Sequence, residues 1–558
     1  MDTEANSEET SFADFSHQKW TNKKYPWSRH STPFGRILKY HYDGSGTEED
    51  PYLVTWIDDD EEDPQRKGEV EKWALAVFVS FATLAVALAS SAYSGATDSI
   101  SAELGGSSTV ITLGVSLFVL GFALGPLLWA PLSEILGRRN LYLFTYSMLT
   151  LWNGVAAASP NLASLLVFRF LAGAFGSSPL TNAGGTIADV FKAKERGLAM
   201  AVFAAAPFMG PALGPITGGF LGSAAGFRAV EGFLAAFSAV LTILGFLMYS
   251  ETYTPVLLRW RAKKLTRATG KCYISKLDQG KDTSISHQFK VALSRPWMLL
   301  FYEPIVLLLS LYVAVVYAIL YSFFSAFPIV FQEVRGWSPG IGGLAFLGIL
   351  VGMLMVIGYV VVYVNPVYTK EVDKHGGVTA PPEARLPPSL VGAPLLVLGL
   401  AGFAATDSPS IFWFVPIMFG APFGAGMVLI FLSLQNYLID SYLIYAASVL
   451  AANSVVRSLF GAAFPLFTPF MYNPGGSSGN CPTATCGIHV GPAIAGALAL
   501  IFLPFPFVFY KKGASIRKRC KYSAEADKIL QSMLQGSQSS SNEDSSKEEK
   551  GSNQDSPA

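Results

Sequence analysis

Apolar runs of about 20 residues, the length that crosses a hydrocarbon layer as a helix, recur along this chain between short polar connections. They begin near Trp73, Val110, Asn140, Leu162, Gly197, Ala229, Met298, Ile341, Leu390, Ile411, Tyr445 and Val490. That makes twelve spans in two sets of six, with the longest internal polar connection after the sixth. The pattern predicts an all-α membrane protein: a tail at 1–72, a six-helix bundle at 73–250, a linker at 251–297, a second six-helix bundle at 298–510 and a tail at 511–558. Residues 1–72 mix charge, proline and glycine with little apolar periodicity, so they and the Ser-, Glu- and Lys-rich C-terminal tail are expected to be disordered. The linker reads as a flexible connection, basic enough to lie against anionic lipid.

Composition agrees with the pattern. Of 558 residues, 51% are apolar and 14% charged, and the mean hydropathy is +0.38, outside the range of an ordinary soluble domain. The net charge of zero conceals an asymmetry: alternate connections and the ends of the tails carry twenty-four basic residues, and the other connections only Arg228 and Arg335. By the positive-inside rule both termini are cytoplasmic. No cleavable signal precedes the first span, which is expected to insert by itself.

Cys272 and Cys520 fall on the cytoplasmic side, whereas Cys481 and Cys486 share the last outer loop and can form a small local disulfide or remain two thiols. No metal-ligand spacing, nucleophile constellation or P-loop lysine is present, which leaves enzymatic and ATP-driven activity without residues to carry it. No cofactor or nucleic-acid partner is expected.

Polar residues inside spans mark function, because a charge in hydrocarbon costs at least a few kcal/mol. Arg169 lies ~10 Å into the fourth span and Arg457 ~18 Å into the eleventh at 1.5 Å per residue, with Asn453 one turn before Arg457. Both arginines are expected to face a cavity. Tyr317, Tyr321 and Phe324 share one face of the seventh span, where buried hydroxyls need partners. In the fifth span Ala206, Gly210, Gly214, Gly218 and Gly222 recur every four residues and allow close helix approach. Pro211 and Pro215 break the amide ladder beside them, and the row is expected to face the opposite bundle.

Three motifs carry a resemblance. GPALGPITGG, with Gly210, Pro211, Gly214, Pro215, Gly218 and Gly219, resembles the antiporter motif of proton-coupled drug exporters. RFLAGAFG around Arg169 is similar to a fourth-helix arginine motif. APLSEILGRR, with Pro131, Glu134, Gly137, Arg138 and Arg139, is similar to the loop signature between second and third helices. The chain thus resembles the fungal 12-span drug:proton antiporters of the major facilitator superfamily, and PPEARLPP after the eighth span supports this.

The resemblance implies two bundles rocking about a central site, export of small lipophilic molecules in exchange for protons, and a gate role for the loop charges. Asp98, Asp189, Glu134, Glu231, Glu251, Glu303 and Asp440 all fall near span ends, so the cavity is expected to be neutral to positive and its cargo neutral or weakly acidic. Asp98, Asp189 and Glu303 are the candidate proton carriers, with Asp189 also grouped with the gate. The protein is expected to act as a monomer in the plasma membrane, with a vacuolar or vesicular membrane as the alternative. An importer, or a non-transporting sensor on the same fold, is the rival reading.

Overall fold

The computed structural model describes residues 32–192, 195–280, 284–374, 380–472 and 487–526. Among the described residues ten helical segments are long and apolar enough to span a bilayer. The third span, Arg138–Ala157, is a further membrane-length helix that polar residues such as Asn140, Thr145 and Asn153 make less hydropathic. The helix Arg196–Met248 contains two spans, 196–225 and 227–248, because Gly226 adopts φ 75° and reverses the chain between them. The result is the twelve-helix, two-bundle arrangement.

Local chemistry places the ends. Ser107 and Asn161 cap the second span, Ser108–Leu136, and the fourth, Leu162–Val190, by accepting the amides of Val110 and Ser164; each cap satisfies an orphan donor of the first helical turn. Gly137, with φ 92°, ends the second span and starts the third. The seventh span starts at Pro304 and not at Met298, because Glu303 has extended backbone that separates it from a linker helix, Ile285–Tyr302. Proline at the first helical position costs no hydrogen bond.

Within the first bundle the glycine row of the fifth span packs on the first span, Glu69–Ala92. A methyl group on Gly210, Gly214 or Gly218 would overlap Ala87, Ser91 or the carbonyl of Ala92. This corrects the expected direction of the row, which faces its own bundle. The neighbouring edge of the helix meets the opposite bundle instead: Gly219 abuts the backbone of Pro339 and Gly340, and Gly343 abuts the Pro215 carbonyl. Spacing of four establishes that such residues share a face but not which way it turns.

The N-terminal segment is also a correction, since residues 32–66 are folded. A helix, Phe34–Lys39, precedes a strand, Tyr52–Val54, that pairs in parallel with Tyr273–Ser275 of the linker. Ile37, Tyr42, Val54 and Ile57 pack against Leu258, Ala262 and Leu265 of the linker helix Thr254–Thr269. The fully buried Asp60 accepts from Thr32 Oγ1 at 2.6 Å, from the Ile57 amide at 3.2 Å and from Arg261, which also reaches Glu62 at 2.7 Å. These apolar positions show no period because their partner surface lies two hundred residues away.

Burial alone would raise the Asp60 carboxyl, but the hydrogen bonds from Arg261 and Thr32 hold it below the usual carboxylate range. Its contribution is therefore present at neutral pH and is lost as pH falls through that depressed value. Arg261→Ala strands a buried carboxylate, which is expected to cost about 3–5 kcal/mol. Limited proteolysis should then cleave within 32–66 while the thermal transition of the spans is unchanged.

Candidate functional site

Arg169 sits on the fourth span with its side chain fully buried. Nη2 donates to the Ala89 carbonyl at 2.9 Å and the Ser90 carbonyl at 3.4 Å, and Nε donates to the Gly114 carbonyl at 3.4 Å. Those first-span carbonyls lie just before the helix tightens into a 3-10 turn at Tyr93–Ala96, where the ordinary bond pattern is altered. The guanidinium lies over Phe118 at 4.3 Å and Tyr93 at 4.9 Å from the ring centroids. Its Nη1 is 3.5 Å from Oε1 of Glu231, and both side chains are closed to solvent. Among the described residues neither carboxylate oxygen of Glu231 has a hydrogen-bond donor.

Two expectations change here. Arg169 belongs to the packed interior of the first bundle and does not line the space between bundles, and Glu231 is an internal carboxylate. The fourth and sixth spans run in the same direction, so residues a few positions from their starts lie at one level. Distance from a span end could not show this pairing.

From Ser90 the polar contacts cross to the second bundle. The Ser90 hydroxyl is 2.8 Å from Tyr321 Oη, and Tyr317 donates to Tyr321 Oη at 3.2 Å. Phe324 meets the Tyr321 ring edge-on at 4.9 Å. The structure thus brings together the three aromatic residues singled out on the seventh span. Arg457 lies over Tyr317 at 4.9 Å and over Phe431 at 5.3 Å; its one side-chain hydrogen bond is a long one, 3.5 Å, to Ser454. Among the described residues no carboxylate forms an ion pair with it. Asn453 is fully buried, and among the described residues neither amide atom is hydrogen-bonded, an arrangement that marks a place for a polar group.

Beside this cluster Phe208, Val313, Val316, Tyr317, Met427 and Phe431 converge, packed closely enough to leave no room for a water molecule. Phe208 of the first bundle meets Phe431 of the second edge-on at 4.5 Å. This is an aromatic, apolar seam between the bundles, closed in this conformation, with the Arg457 guanidinium at its edge. Phe208 and Phe431 were missed because single phenylalanines in apolar spans carry no local signal.

The charged loop forms a second, separate cluster at the end of the molecule that holds the linker. Arg138 pairs with Asp189 at 3.3 Å and donates to Ser133 Oγ at 2.7 Å and Asn182 Oδ1 at 3.2 Å. Glu251 accepts the backbone amides of Arg138 at 3.0 Å and Arg139 at 3.2 Å. Arg139 Nε donates to the Tyr249 carbonyl at 2.7 Å. Gly137 turns the chain against this carboxylate, and Pro131 lies within the second span just before it. The Glu134 side chain is exposed and adds negative charge beside Arg259 and Tyr253, while its carbonyl accepts from Arg259 at 3.1 Å. The acids that bond within the cluster are Asp189 and Glu251, the latter legible only as the first residue after the sixth span in ETYTP.

The remaining candidates lie elsewhere. Asp98 is exposed in the first turn of Thr97–Leu104. Glu303 is buried at the linker end, where it accepts from Tyr442 Oη at 2.8 Å and the Tyr522 amide at 2.9 Å; it fastens the C-terminal segment to the seventh span. Cys481 and Cys486 lie outside the described residues. No group of three metal-binding side chains occurs among the described residues.

The chain matches the Major Facilitator Superfamily over residues 79–465. It is 57% identical over 503 residues to an MFS-type efflux pump of Trichophyton rubrum, covering 89% of this chain and 82% of the relative. A major facilitator superfamily multidrug transporter of Aspergillus fumigatus is 54% identical over 502 residues, covering 90% and 80%. An ascochitine biosynthesis cluster MFS transporter of Didymella fabae is 37% identical over 484 residues, covering 86% and 91%. With bundle geometry and near full-length similarity in agreement, this chain belongs to the major facilitator superfamily, among its fungal efflux transporters, and is a membrane carrier of small molecules, not an enzyme.

Proposed function

We propose that the cargo is a neutral or weakly acidic aromatic molecule, bound in the space beside Tyr317, Tyr321 and Phe431 and exported in exchange for protons. The observation that carries the cargo reading is Arg457, a guanidinium between two aromatic rings with no carboxylate partner among the described residues. A cation entering there meets uncompensated positive charge, whereas a carboxylate or enolate supplies the missing partner and a flat ring stacks on the aromatic walls. Asn453 supplies a further hydrogen bond. A relative's place in a biosynthetic cluster supports a secondary metabolite as the natural cargo.

For the proton, Glu231 fits better than Asp98, Asp189 or Glu303. Asp98 is exposed, Asp189 is held by Arg138, and Glu303 holds the C-terminal segment. A proton on Glu231 removes the charge opposite Arg169. The guanidinium is then left to the Ala89, Ser90 and Gly114 carbonyls and the two rings, which alters its grip on the first span. Ser90 transmits this across the interface, because its carbonyl receives Arg169 while its hydroxyl meets Tyr321. Proton and cargo thereby act on opposite ends of one chain of contacts. The linker end is assigned to the cytoplasm by its basic residues, and the carrier to the plasma membrane as a monomer.

Glu231→Gln is expected to abolish accumulation of a carboxylated aromatic dye driven by a pH gradient in proteoliposomes, while exchange of dye across the membrane without a gradient persists. Full pH-driven accumulation in that variant would remove Glu231 from coupling. Arg457→Gln should weaken dye binding about 10–100-fold, the loss of one charge-assisted hydrogen bond, and Arg457→Lys should restore part of it. Strong competition by spermidine, with none by weak-acid polyketides, would overturn the charge assignment.

A further inference from the structure

The linker helix Ile285–Tyr302 presents two unlike faces. Pro296, Leu299 and Leu300 are buried, where the helix packs on the ends of the second and eleventh spans. Leu293, Trp297, Met298, Phe301 and Tyr302 are exposed, Phe301 by 70% and Tyr302 by 76%. Their spacing puts them on one stripe. In water such a stripe on an otherwise folded linker is unfavourable. It is, however, continuous with the membrane surface: Glu303 alone separates it from the seventh span, whose Leu308 is also exposed.

Cations flank the stripe. Lys290 is exposed on the same helix, and Lys518, Arg519 and Lys521 are exposed on the C-terminal segment. Arg295 lies over Tyr445 at 5.5 Å, and Lys521 over Tyr522 at 5.7 Å. These two rings meet edge-on at 5.3 Å, and Tyr522 Oη donates to Met298 Sδ at 3.4 Å. Two carboxylates adjoin the rings among the described residues: Glu525 accepts from Tyr445 Oη at 3.2 Å, and the buried Glu303 accepts the Tyr522 amide at 2.9 Å. Three segments distant in sequence thus converge on one basic, aromatic patch beside an exposed apolar stripe.

We infer that this patch is a docking surface for anionic phospholipid. The apolar stripe enters the acyl boundary, Trp297 and Tyr302 lie at headgroup level, and Lys290, Arg295 and Lys521 meet the phosphates and carboxylates of the headgroups. Docking fixes the linker helix, and with it the start of the seventh span. This inference is independent of the cargo and of the proton carrier.

The full-length protein in lipid nanodiscs tests it by the difference in emission between wild type and Trp297→Phe. The Trp297 component should be quenched by phospholipid with brominated acyl chains and shielded from aqueous iodide. Quenching by iodide without quenching by brominated lipid would overturn the inference, and so would shielding from both, which would mean that a second copy or another protein covers the stripe. In detergent, added phosphatidylserine should raise the unfolding midpoint of the wild type, phosphatidylcholine should not, and the Arg295→Gln/Lys521→Gln variant should lose most of the shift. An equal response of the wild type to both lipids would sink the anionic preference.

Discussion

The structure of the first bundle depends on satisfying one buried guanidinium. Moving a charge such as Arg169 out of water costs several kcal/mol even after relaxation, and the cost is bearable only if neighbouring spans bring partners to it. Four spans do so. The first contributes the Ala89 and Ser90 carbonyls and the Tyr93 ring, the second the Gly114 carbonyl and the Phe118 ring, and the sixth Glu231. Arg169 therefore sets the relative level of these helices, and it places Ser90 where it reaches Tyr321 in the other bundle.

The fifth span divides its faces between two tasks. Its glycine row lies against the first span with backbone nearly touching backbone, so those two helices are expected to move as a unit. The adjacent edge at Pro215 and Gly219 touches the eighth span, Pro339–Lys374, backbone against backbone, with the Phe220 ring laid over Gly340. An interface of small residues and exposed carbonyls can part and re-form without dragging interlocked side chains through one another. Close packing within a bundle and lighter contact between bundles is what alternating access requires of the same helix.

At the linker end the first bundle is tied into one hydrogen-bonded block. Glu251 closes the start of the third span by its amides, Arg138 reaches Asp189 on the fourth, and Arg259 joins the linker to the Glu134 carbonyl. Residues 32–66 extend this block through Asp60 and Arg261. Among the described residues no such network of charged groups crosses the seam between halves, where Arg457, Tyr317 and Phe431 meet.

Twelve spans, their grouping and the superfamily were legible in the sequence because span length, apolarity and short motifs are local properties. That Arg169 and Arg457 would be held by protein groups was legible too, since a charge deep in an apolar run has few affordable environments, but Arg169 is sealed inside the first bundle and does not face a cavity, and Arg457 is half-buried. What only the tertiary structure decided is which groups answer those charges. Glu231 and Glu251 lie near span ends and look solvated until helix direction and rotation bring them to Arg169 and to the third-span amides. The same holds for the glycine row, whose period specified a face but not its partner, and for residues 32–66, whose apolar side chains have no rhythm without the linker. Periodicity records how a residue sits on its own helix; the contact it makes depends on the rotation and packing of another.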